Sequence, residues 1–160
     1  MPRNYKSTEQ HLRPDRRFNS KLASKIINKI MWDGKKSIAQ RIFYEACDAV
    51  AKKVGAEPGE VFVKVIENIR PRIEVRSKRV GGATYQVPME VKAKRQQSLA
   101  IRWLVDAARA KRGKPMGRRL ADEMFDAFNN QGAAVTKKEN VHKMADANKA
   151  YAHFAWGRGR

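Results

Sequence analysis

The residues of this sequence whose number and spacing could do chemistry are arginine and lysine, and the chemistry is neutralisation of a polyanion. Between Arg70 and Arg119 lie fifteen of the 35 Lys and Arg residues but only three acids, Glu74, Glu90 and Asp106. That stretch carries +12 of the net +19, whereas 1–19, 20–69 and 120–160 carry +3, +3 and +1. Self-repulsion on this scale disfavours the folded chain unless a partner neutralises it. Nucleic acid is the partner that such a footprint fits best.

Within the stretch, Arg72, Glu74, Arg76 and Lys78 alternate with Ile73, Val75 and Ser77. If Ile73 and Val75 cover one face of a strand, Arg72, Arg76 and Lys78 project from the other, flanked by Arg70 and Arg79. Arginine forks onto phosphate oxygens, and lysine acts as a mobile point charge. Lys92, Lys94 and Arg95 continue the patch, and Arg102 and Arg109, seven residues apart, share one side of a helix. Lys111, Arg112, Lys114, Arg118 and Arg119 extend it further, although Arg118 or Arg119 could instead pair with Asp122 or Glu123 at helical spacing. In Asp33-Gly34-Lys35-Lys36 two lysines precede a helix start, where free N–H groups also suit a phosphate; an ordinary surface turn explains them equally well. Tyr85 is placed either to stack on an unpaired base or to pack within the protein, while Trp103 is expected inside.

Other chemistries find little support. His11, His142 and His153 gather no nucleophile or acid around them, so no catalytic residue is assigned. The single cysteine, Cys47, rules out an internal disulfide and reads as a small buried hydrophobe; no metal site or cofactor is expected. No apolar run is long enough to span a membrane, and the basic N-terminus lacks the apolar centre of a secretory signal. A cytoplasmic setting is expected.

The cations need a scaffold, and a 42% hydrophobic content supplies a core. Three helical stripes come first. Leu22, Ile26, Ile27 and Ile30 follow a capping Ser20. Ile38, Ile42, Phe43, Ala46, Cys47 and Val50 mark a helix over about 37–53, stopped by Gly55. Val61, Phe62, Val65, Ile66 and Ile69 follow Pro58, a residue favoured in a first turn. The period then changes to two on both sides of Gly81-Gly82, which predicts a β-hairpin over 72–91 with Pro88 on an edge. Helices return at about 96–110 and 115–129. A last one carries the capping-box match Thr136-Lys137-Lys138-Glu139, with Val141, Met144 and Ala145 inward. Tyr151, Phe154 and Trp156 beyond it suit either the core or a protein interface. The expected architecture is mostly α: six helices, with a protruding hairpin between the third and fourth. The organisation is a basic arm (1–19), a helical nucleic-acid-binding domain (20–156) and a short basic tail (157–160).

With these residues in view, the sequence closely resembles the bacterial form of the seventh-protein family of the small ribosomal subunit. The resemblance covers nearly the whole chain. It rests on MWDGKKSIAQ, ENIRPRIEVRSKRVGGATYQVPMEV, SLAIRWLVDAARAKRGKPMGRRLADE and KKENVHKMADANKAYAHFAW. It implies a structural protein bound to ribosomal RNA of the 3′ major (head) domain, helping to nucleate head assembly. Lys35, Lys36, Arg70, Arg72, Arg76, Lys78, Arg79, Lys92, Arg95, Arg102 and Arg109 match the family's RNA-facing motifs. Arg3 and the Arg13/Arg16/Arg17 arm match its N-terminal RNA-contacting segment less closely. Gly81 and Gly82 match the hairpin tip, which with Tyr85 the resemblance places near exit-site tRNA and messenger RNA. Other head proteins are implied partners, among them the eleventh small-subunit protein at the C-terminal end; the GRGR tail matches nothing securely. From composition alone, a helical DNA-binding or architectural protein is the competing reading.

Overall fold

Ser20, extended at φ −117°, turns the chain into its first helix and accepts the Ala23 N–H on its side-chain oxygen. In the computed structural model, which describes residues 11–156, the elements run α1 (Lys21–Ile30), α2 (Lys36–Val54), α3 (Pro58–Ile69), β1 (Ile73–Val80), β2 (Ala83–Glu90), α4 (Ala93–Ala110), α5 (Met116–Phe128) and α6 (Ala133–Ala147). A 3-10 segment, Lys149–Trp156, follows. The mostly helical class and the hairpin between α3 and α4 agree with the sequence pattern.

The three early stripes become the core. Ile26, Ile27, Phe43, Val50, Val61, Phe62, Val65, Ile66 and Ile69 are buried, joined from the other side by Leu104, Leu120 and Met124. Each such side chain stabilises the fold by about 1.5–3 kcal/mol through burial alone. Helix α2 packs between α1, α3 and α5, and α4 lies against α5, α3 and α1. Cys47 is fully buried, and burial pushes its thiol up to about 12, so it packs as a hydrophobe. Two expected core residues face outward instead: Ile38 is 44% exposed and Met144 49%.

The helix starts and the hairpin depart from the expected pattern. The last helix begins at Ala133 rather than near Thr136, whose hydroxyl is inside the helix and donates to Gly132 O. The cap comes from afar: the Ala134 N–H donates to Oε1 of Glu123 on α5, a fully buried carboxylate. Gly132 permits this with φ +92°, and an added Cβ there would sit 2.8 Å from the Asp126 Cβ. At α4 the helix starts three residues early, so Lys94 and Arg95 lie in its first turn and Lys92 is its N-cap. Pro115 is likewise the N-cap of α5 rather than its first helical residue.

The hairpin turns the opposite face inward from the one expected. Its register pairs Glu74 with Met89, Arg76 with Val87 and Lys78 with Tyr85, and cross-strand partners share a face. That face carries the two buried residues of the hairpin, Glu74 and Val87. Ile73 and Val75 are only half-buried on the opposite face. Strict alternation does not tell which of two faces is covered, and here the 3-10 segment packed on β2 and the Arg95–Glu74 ion pair from α4 select the charged one.

Part of the expected arm is anchored. Asp15 is buried, accepting the Tyr44 hydroxyl at 2.6 Å and the backbone N–H groups of Arg17 and Phe18. Burial, then the Asp15 bond, pushes the Tyr44 phenol up to about 12. Phe18 inserts among Phe43, Tyr44 and Phe62. Segment 1–10, with Arg3, and the tail 157–160 lie outside the described residues.

Candidate nucleic-acid interface

Helix α4 is the spine of the basic surface. It positions Lys92, Lys94 and Arg95 at its start, Arg102 in its middle and Arg109 at its end. At 1.5 Å per residue these span about 25 Å. Lys92, Lys94, Arg95 and Arg102 line a shallow depression of about 360 Å³. A larger groove of about 500 Å³ between α1 and α4 shares Lys94 and Arg102 and adds Lys25 and Lys29. The sequence pattern alone did not single out these two lysines, although their four-residue spacing along α1, beside its apolar stripe, was a usable signal. A third, smaller groove of about 230 Å³ lies where Lys35, Arg109 and Arg119 approach one another.

The cations sort into two populations. Several are already engaged within the protein. Arg17 forks onto Asp48 at 2.9 and 2.7 Å; that bond outweighs partial burial and holds the guanidinium above its usual range. Arg76 and Arg95 both bind the buried Glu74, Arg95 Nε at 2.8 Å, tying the hairpin base to the start of α4. Lys78 Nζ donates to the Phe154 and Ala155 carbonyls at 3.0 Å. Arg109 donates to the Lys29 and Ile30 carbonyls at the end of α1. Arg119 donates to the Arg109 and Lys111 carbonyls, and neither Arg118 nor Arg119 pairs with Asp122 or Glu123 among the described residues. Lys111 instead reaches Glu123 and Asp126, and Lys114 reaches Asp122. For Lys111 burial works against the charge, but the two carboxylate bonds win and raise its pKa. The Lys114 bond holds Asp122 below its ordinary range against some burial.

The second population is exposed and has no ion pair among the described residues: Arg13, Arg16, Lys35, Lys36, Arg72, Arg79, Lys92, Arg102, Arg112 and Arg118. The Arg72 backbone is nonetheless fixed, its N–H donating to His142 Nε2 at 3.1 Å. Arg70 is half-buried at the end of α3 and its Nε has no partner among the described residues. Replacing Arg72, Arg76 and Lys78 together would therefore also release Glu74 and the C-terminal carbonyls. Arg72 with Arg79 is the cleaner pair for testing phosphate contact.

Tyr85 takes the packing alternative. Its ring lies 5.1 Å from Tyr151 and 5.2 Å from Phe154, binding the 3-10 segment to the hairpin. Gly81 and Gly82, at φ +58° and +88°, form the exposed two-residue turn at the tip. Trp103 is half-buried against the core, as expected.

Three helices share an electrostatic peculiarity. α2, α4 and α5 have no acid in the first turn and no side-chain cap. In place of acids in their own first turns they gather Lys35/Lys36, Lys92/Lys94/Arg95 and Arg118/Arg119, and only α5 has a carboxylate brought to it from elsewhere, that of Glu45 on α2 against Gly117. Cations at the positive end of a helix dipole are unfavourable in the isolated protein and become favourable once an anion binds between them. The arrangement suits phosphate. Among the described residues, no group of His, Cys, Asp and Glu is disposed to hold a metal ion.

Comparison with known proteins follows the same line. The family model described as ribosomal protein S7p/S5e matches residues 2–149. The small ribosomal subunit protein uS7 of Thermosipho melanesiensis is 57% identical over 143 residues, covering 89% of this chain and 92% of the relative. Its counterpart from Symbiobacterium thermophilum is 56% identical over 156 residues, 98% and 100% of the two chains. That of Thermotoga maritima is 51% identical over 154 residues, 96% and 99%.

Proposed function

Because the chain belongs to the ribosomal protein S7p/S5e family, we propose that its basic surface clamps ribosomal RNA of the head domain of the small subunit. It is a structural, RNA-binding constituent of that subunit, in the bacterial uS7 form, and not an enzyme. The observation that carries the phosphate clamp is the pair of uncapped helix starts, those of α2 and α4, lined with cations. Contacts spread over α2, α4, α5 and the hairpin would fix RNA helices relative to one another and help nucleate head assembly. Specificity then comes from RNA shape, since phosphate neutralisation is indifferent to sequence.

The finer placements belong to the same proposal. The hairpin tip at Gly81-Gly82 approaches exit-site tRNA and messenger, and the C-terminal segment approaches the eleventh small-subunit protein. In their support, Lys78 and Tyr85 join hairpin and C-terminal segment into one continuous surface. The test compares a transcript of the 3′ major domain with duplex DNA in a salt series. Tighter binding to the RNA at every salt concentration is expected; equal binding to both polymers would favour the generic DNA-binding alternative.

Replacing Gly81 and Gly82 by two valines tests the tip. Nothing lies within 4 Å of the point a Cβ would occupy on either glycine, so the cost is conformational rather than steric. A left-handed conformation costs an L-residue about 1–2 kcal/mol, and more where it is β-branched. The hairpin should fray or change register while the helical signal in circular dichroism persists, and incorporation into the subunit head should fall. Normal incorporation and normal exit-site tRNA retention would remove the tip from this role.

A further inference from the structure

The groove between the end of α1, the start of α2, the end of α4 and the start of α5 has an apolar floor that the phosphate clamp does not use. Ile30, Ala39, Ile42 and Met116 contribute to it, and Trp32 and Ile38 stand at its edge, 74% and 44% exposed. A tryptophan left this open in water needs a reason. Arg109, held by the last carbonyls of α1, lies over one side of the indole ring with its guanidinium carbon 5.5 Å from the ring centre. Lys35 and Arg119 complete a cationic rim, and no acid lines the groove among the described residues.

We propose that this groove receives one unpaired nucleobase of the bound RNA, stacked on the free side of Trp32, with its flanking phosphates held by Lys35 and Arg119. The inference rests on the RNA-binding reading above and adds the chemical class of what enters this groove. An aromatic face beside cations is how proteins hold single-stranded nucleotides, because every base offers a π-face and every linkage a charge. A purely apolar protein neighbour would leave the three cations of the rim without a counter-charge. The volume, about 230 Å³, suits a single planar group rather than a helix.

The experiment uses the full-length protein and a transcript of the 3′ major domain, with Trp32→Ala and Trp32→Phe variants. Loss of one base–aromatic stack is expected to weaken binding roughly ten-fold in the alanine variant. The slope of affinity against salt should stay unchanged, since stacking releases no counterion. Phenylalanine should recover most of the affinity. RNA-dependent quenching of tryptophan emission should be present in the parent and reduced in both variants. Because Trp32 is largely solvent-exposed, both variants should melt near the parent. Unaltered affinity and unaltered quenching in Trp32→Ala would overturn the proposal and leave the groove to a protein neighbour. A loss that phenylalanine does not recover, with a shallower salt slope, would overturn it too, because Trp32 would then act only by placing Arg109. If the parent itself fails to prefer the transcript, it is the RNA-binding reading that fails.

Discussion

Glu123→Ala is expected to lower the melting temperature by about 10 °C, the largest stability effect of any single polar substitution in this protein. Glu123 is fully buried on α5. Its Oε1 accepts the Ala134 N–H at 2.8 Å, so it caps α6 from a different helix. Its Oε2 pairs with the Lys111 ammonium at 2.9 Å. Truncation leaves a buried amide without an acceptor and takes one of two counter-charges from a partly buried cation. Removing one partner of a buried pair costs about 3–5 kcal/mol, which for a chain of this size corresponds to that shift. Glu123→Gln keeps an acceptor for Ala134 and should recover part of the loss. Thermal melts followed by circular dichroism decide it, and a shift under about 2 °C would show that the cap and the pair carry little of the fold's stability.

Glu123 also shows where reading the sequence stops. Apolar periodicity was sufficient for α1, α3 and α5, because a helix that buries one stripe must repeat it at 3.6 residues. The two glycines announced the hairpin turn, since positive φ at consecutive positions leaves few other residues. What pattern could not supply was the identity of distant partners. Thr136-x-x-Glu139 is a sound local cap, yet a carboxylate eleven residues upstream of Ala134 reaches the helix start first. Alternation in β1 is symmetric between its faces, so Glu74 and Arg76 looked solvent-facing, whereas the fold makes Glu74 the shared acceptor of Arg76 and of Arg95 on α4. Ile38 and Met144 fit inward stripes but lie at positions that no neighbouring helix covers.

The basic site was legible in number and placement but not in role. Lys78, Arg95, Arg109, Lys111, Lys114 and Arg119 look identical in sequence to Lys36, Lys92 and Arg102. Only the folded chain shows which of them hold carboxylates and carbonyls. The two groups should therefore respond oppositely to substitution. Removing a tethered cation strands its acceptor, as Lys111→Ala would strand Glu123, and should lower stability. Removing an untethered one should not.

That contrast gives the prediction with the largest expected effect on RNA. Replacing Lys35, Lys36, Lys92 and Arg102 together by glutamine should weaken binding to the 3′ major domain transcript roughly a hundred- to a thousand-fold near 0.1 M salt. Each phosphate contact contributes about 0.7–0.9 of a unit to the slope of log affinity on log salt, so losing four should make the slope shallower by about three. Stability should move the other way. Lys35 and Lys92 are the N-caps of α2 and α4, and Lys36 is the first residue of α2, all at positive helix ends with no acid in the first turn. Relieving a misplaced cation there is worth about 0.3–1 kcal/mol each, so the free variant should melt at or slightly above the parent temperature. A protein that gains stability while losing its ligand has carried those charges for the ligand. Filter binding across a salt series and a thermal melt of the free protein measure both halves. A variant that binds within about two-fold of the parent with the same slope would take the helix starts out of the RNA interface. One that binds weakly but also melts well below the parent would mean that these cations hold the fold rather than the phosphate.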